Sequence, residues 1–79
     1  MTSGPVYKLD GAFTGAKLKY IRSRYGLSAA QWGHLLGYSG RNVAVHVRRL
    51  ERGARPIPPA VGKLALMYAL NGIPKEWRA

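Results

Sequence analysis

Apolar residues recur along the chain at helical spacing in several successive windows. Leu18, Ile21 and Tyr25 fall on one face at i, i+3 and i+7, with Lys17, Lys19 and Arg24 turned away. Thr14 stands where a helix is capped, and Gly26 accepts the positive φ at which one stops. A first helix is therefore predicted from Thr14 to about Tyr25. Ser28 and Gln31 then have the spacing of a capping box, in which each side chain satisfies an unpaired backbone N–H. Trp32, Leu35 and Leu36 supply the apolar face of this second helix, and Gly37 ends it. Gly33 lies inside it, where glycine costs about 1 kcal/mol relative to alanine. Close approach by another helix would account for that cost.

The next window, 43–53, is ambiguous by period. As a strand, Val43, Val45 and Val47 face one way and Ala44, His46 and Arg48 the other. As a helix capped by Ser39, Val43, Val47 and Leu50 share one face. Arg41, Val45, Arg48 and Arg52 then share the opposite face, with Asn42 and Arg49 beside it. A strand needs a partner, and no second strand-like run exists in the chain, so helix is preferred. Gly53 ends it, and the Pro-rich 54–59 is a stiff connection. A fourth helix begins at Pro58 or Pro59 and runs to about Leu70, with Asn71-Gly72 as its stop. Val61, Leu64, Ala65 and Tyr68 form one apolar face, and Leu66, Met67 and Leu70 a second. The tail over 73–77 suits one last helical turn with Trp77 as an anchor. Residues 1–13 lack helical period and read as a flexible N-terminal arm. The expected architecture is an all-α bundle of four or five helices in one domain over 14–79.

Charge changes the picture most. The 79 residues carry 13 Lys+Arg against 3 Asp+Glu, a net charge of +10. So one-sided a balance implies an acidic partner, such as nucleic acid, an anionic membrane surface or an acidic protein. There is no cysteine, which excludes disulfides, thiolate metal sites and Cys nucleophiles. The three acidic residues, Asp10, Glu51 and Glu76, are far apart and no phosphate-binding glycine loop is present. The reading is therefore not an enzyme, with no cofactor and no small-molecule ligand expected. His34 and His46 have no nearby carboxylate and do not make a metal set. Glu51 is expected to pair with an arginine. No apolar run spans a bilayer and the N-terminus lacks a signal-peptide pattern, so a cytoplasmic protein without membrane contact is expected.

Two short helices meeting at a glycine turn, the second basic on its outer face, describe a helix-turn-helix, whose second helix enters the DNA major groove. The segment "GLSAAQWGHLLGYSGRNV" resembles the helix-turn-helix core of the Cro/CI-type (Xre) family of phage and bacterial regulators. The matching features are Gly26-Leu27-Ser28, the small residue Gly33, the Leu35-Leu36-Gly37-Tyr38-Ser39 turn and an inward Val43. "LERGARPIPP" resembles the Glu-Arg-Gly segment that follows the family's recognition helix. The likeness covers roughly residues 14–72. Small size and high basicity are also similar to those of anti-CRISPR-associated repressors of phages and mobile elements. One departure is clear: between Ser39 and Glu51 the chain is longer than the family pattern by about one helical turn, within Val43–Arg49. The recognition helix is then either longer or locally irregular.

The resemblance implies a base-reading position for Arg41, whose guanidinium can bond to guanine O6 and N7; a phosphate contact is its other reading. Asn42 reads adenine or supports the turn. Val45 touches a thymine methyl or belongs to the core. Arg48 lies on the same face and is a candidate base reader, although with Arg49 and Arg52 it suits a phosphate clamp better, since roughly half or more of protein–DNA hydrogen bonds go to the backbone. Ser39, Gln31, His46, Arg55 and Lys17 complete the candidate phosphate contacts, Gln31 also serving as a capping partner, and Lys19 and Arg22 extend the footprint. The apolar stripe of Leu66, Met67 and Leu70, with Trp77, is a candidate dimer interface over 58–79.

These readings converge on a transcriptional regulator, a homodimeric autorepressor binding an inverted repeat in double-stranded DNA. An antitoxin that also holds a partner toxin, and a nucleic-acid binder driven by charge alone, are the alternatives.

Overall fold

The computed structural model describes residues 14–78; the arm expected over 1–13 lies outside them. In this span the chain forms five helices: α1 (Gly15–Arg24), α2 (Ala29–Leu35), α3 (Val43–Glu51), α4 (Pro59–Asn71) and α5 (Lys75–Arg78). No strand occurs among the described residues, and the alternating segment 43–47 is regular α-helix. The all-α bundle expected from the periodicity is the one observed.

Local chemistry sets the helix ends. Thr14 Oγ1 accepts the Lys17 N–H at 3.2 Å. Ser28 Oγ accepts the Gln31 N–H at 3.1 Å while Gln31 Oε1 accepts the Ser28 N–H at 2.9 Å, completing the capping box. At the other end of α2 the Tyr38 N–H donates to Gly33 O at 2.9 Å and the Gly37 N–H to His34 O at 3.1 Å. This pairing satisfies the last carbonyls and places Gly37 at φ +96°, where a Cβ would be strained. α1 and α3 close in the same way. Pro59 opens α4, where its missing N–H costs nothing.

One core joins the helices. Leu18 and Ile21 of α1, Trp32 of α2, and Val47 and Leu50 of α3 are wholly enclosed. α4 adds Val61, Ala65 and Tyr68. The Tyr68 ring lies 5.9 Å from that of Trp32. Its hydroxyl donates to Leu35 O at 2.6 Å, and burial raises its pKa above the usual tyrosine value. Tyr25 in turn donates to Tyr68 O at 2.6 Å. α4 is thus bonded to both α1 and α2. Trp77 of α5 sets its ring edge-on to Tyr68 at 6.2 Å, the anchoring role anticipated for it.

Two glycines permit the closest helix contacts. A Cβ at Gly33 would collide with Cγ1 of Val43 and lie 2.9 Å from Cγ2 of Val47. A Cβ at Gly15, which the periodicity did not single out, would collide with the carbonyl oxygens of Leu50 and Glu51.

Two expectations are corrected. Ser39 does not cap the third helix: α3 begins at Val43 with Asn42 at its N-cap and no side-chain cap bond. A bend at Gly40, at φ +101°, and the turn over 41–42 precede the helix, which has nine residues and is regular throughout. Leu66 is buried within the protomer at 4% exposure and is not available to a partner.

By helix propensity alone, Gly33→Ala should stabilise α2 by about 1 kcal/mol. The clash with Val43 reverses the sign, and a loss of about 1–3 kcal/mol is expected from overpacking, measured by urea unfolding. Adding Val43→Ala should cost less in the Gly33→Ala background than in the wild type.

Candidate nucleic-acid interface

α3 divides cleanly. Val43, Val47 and Leu50 are buried against α1 and α2, with Ala44, His46 and Glu51 half-buried at the flanks. The opposite face consists of Val45, Arg48 and Arg49, continued by Arg52 at the C-cap, all exposed. At 3.6 residues per turn these four side chains form one stripe. Val45 is therefore a surface residue, not a core one. Val45, Arg48 and Arg52 share the outer face as the helical period predicts, with Arg49 beside them.

The other candidates take varied places. Arg41 and Asn42 are exposed in the turn before α3, with Ser39 beside them. With Tyr38, Val43 and His46 they line a shallow depression at the N-terminal end of the helix. His46 stands edge-on to the Tyr38 ring, centroids 4.4 Å apart, and so sits at the flank of the stripe. His34 Nδ1 lies 3.1 Å from Tyr38 O, so the α2–α3 turn is held from both sides by histidines. Gln31 is exposed at the start of α2 with its side-chain oxygen engaged in the capping box. Arg55 is exposed in the connection to α4, and Lys17 is half-buried on α1. On α4 and α5, Met67, Leu70 and Trp77 are 56%, 62% and 58% exposed, and Trp77 shares a shallow depression with His34 of α2 and Gly37 just past its end.

Arg22 leaves the footprint. Its Nε donates to Glu51 Oε2 at 2.7 Å, its Nη2 to Glu51 Oε1 at 3.1 Å and its Nη1 to Leu27 O at 3.1 Å. The fork thus ties α1 to the last turn of α3 and to the α1–α2 turn. The Glu51 side chain is 5% exposed and that of Arg22 20%. Glu51 was expected to find an arginine; the partner lies on another helix rather than beside it in sequence. Lys19, by contrast, is exposed and shares a groove with Arg48 and Arg52. Its position was not visible in the sequence, because only the packing of α1 on α3 brings it there.

Among the described residues no group of His, Cys, Asp and Glu could hold a metal ion, and no helix is long and apolar enough to cross a membrane. The chain matches no protein-family model, and neither a curated protein nor a solved structure is significantly similar to it.

Glu51→Ala strands a guanidinium that is mostly enclosed. The expected loss is about 2 kcal/mol, below the figure for a fully buried pair because Arg22 keeps some solvent. Arg48→Ala, on the open stripe, should change stability by less than about 0.5 kcal/mol. Urea unfolding of the two variants distinguishes a cation that holds the fold from one that faces outward.

Proposed function

We propose that the protein is a sequence-specific DNA-binding regulator, a repressor that acts as a homodimer on an inverted repeat. One observation carries the reading. The exposed face of α3 consists of one valine and three arginines, on a helix fixed from behind by α1 and α2. A rigid helix with a narrow basic face matches the width and charge of the DNA major groove. Arg41 and Asn42, at its N-terminal end, are the base readers of this reading, with Val45 and Arg48 along the stripe. Arg49 and Arg52 hold phosphates.

Selection of bound sequences from a random DNA pool tests the proposal. A palindromic consensus supports it; equal binding to all sequences, with only a steep salt dependence, supports charge-driven binding instead. Two substitutions separate the roles. Arg41→Ala should cost about 1–3 kcal/mol on the selected site and relax discrimination at one base pair. Arg49→Ala should weaken binding to every sequence and lower the salt slope by about one.

The exposed Met67, Leu70 and Trp77 support the dimer, since large apolar side chains on a bundle this small are costly to leave in water. Leu70→Glu should convert the dimer to a monomer by light scattering while leaving the helical signal intact. A wild-type chain that is monomeric at micromolar concentration, with and without DNA, refutes this part.

A further inference from the structure

We propose that the groove between α1 and α3 is a site for a backbone phosphate of DNA, with Lys19 as the contact supplied by α1. The proposal rests on the DNA-binding reading above and adds a contact from outside the recognition element. The groove is lined by Lys19, Arg22, Arg48, Glu51 and Arg52. Arg22 and Glu51 are its least exposed members, and their charges are spent on each other: both carboxylate oxygens accept from the one guanidinium. The remaining lining is three cations, Lys19, Arg48 and Arg52, all exposed. Glu51 is the one carboxylate lining the groove and is engaged by Arg22, so these three stand together without a carboxylate to neutralise them.

Three like charges around one groove repel each other, and an anion seated among them removes that repulsion. Nucleic-acid phosphate fits the site better than a protein carboxylate. Arg48 and Arg52 also belong to the stripe assigned to the major groove, so a bound duplex already brings its backbone to the edge of α3. Lys19 reaches that edge from the neighbouring helix. The contact also gives α3 a direction on the duplex. Its C-terminal end is pinned to the backbone by Lys19 and Arg52, and its N-terminal end presents Arg41 and Asn42 to the bases.

The test uses the full chain and a short random-sequence duplex, with affinity followed by fluorescence anisotropy between about 50 and 200 mM salt. Lys19→Gln should bind about fivefold more weakly near 0.1 M salt and lower the salt slope by about 0.9, the share of one phosphate. Lys19→Arg should restore both. Lys63→Gln removes the same charge from α4, which contributes nothing to the groove, and should leave the slope unchanged. A wild-type slope in Lys19→Gln, or an equal drop in Lys63→Gln, overturns the phosphate site while the DNA-binding reading stands. Failure of the wild-type chain to bind any duplex overturns both. Circular dichroism of each variant confirms that the exposed substitutions leave the helices intact.

Discussion

The packing of α3 against α2 depends on a missing side chain. Gly33 lets the backbone of α2 approach Val43 and Val47 more closely than any Cβ would allow. The cost is local, a glycine inside a helix of seven residues. The return is tertiary: the two valines and Leu50 are enclosed, and the opposite face of α3 is left outward. Because a helix turns through a fixed angle per residue, fixing Val43 and Val47 inward fixes Val45, Arg48, Arg49 and Arg52 outward. The basic stripe is a geometric consequence of how α3 is held.

The second restraint comes from α1. Gly15 brings the start of α1 against the carbonyls at the end of α3, and the Arg22–Glu51 pair locks the same end through two hydrogen bonds. In a chain with 13 basic and 3 acidic residues, a carboxylate is scarce. Placing one at the helix contact, in a bidentate pair, gives a directional bond that apolar packing lacks. It also takes one arginine out of the exposed field. The stability of so small a bundle is modest, so restraints of this kind decide whether α3 holds a single orientation.

Much of this was legible in the residues. The capping box at Ser28 and Gln31, the glycine stops, the inward Trp32, Leu35, Leu36, Val43, Val47 and Leu50, and the terminal turn with Trp77 all follow from local rules of spacing and backbone chemistry. Even Gly33 announced a close neighbour by being a poor helix former. The failures share a cause. Ser39 looked like a cap because its residue type suits one, but Gly40 and the turn over 39–42 delay the helix to Val43. Leu66 looked like part of an external stripe because helical period places it one turn from Leu70, yet it is buried and Leu70 is not. Period ranks faces; it does not say where the boundary between core and solvent falls.

What the sequence determined alone was therefore the set of helices, the capped start of α2, the glycine stops and most of the buried faces, since these depend on contacts within a few residues. It also determined the excess of positive charge. What only the tertiary structure decided was which charges act together. Arg22 and Lys19 lie on the same helix three positions apart, and nothing local distinguishes them as cations. The packing of α1 on α3 turns one into the partner of Glu51 and sets the other beside Arg48 and Arg52. Coulomb interactions act through space, so their partners are assigned by the fold and not by order along the chain.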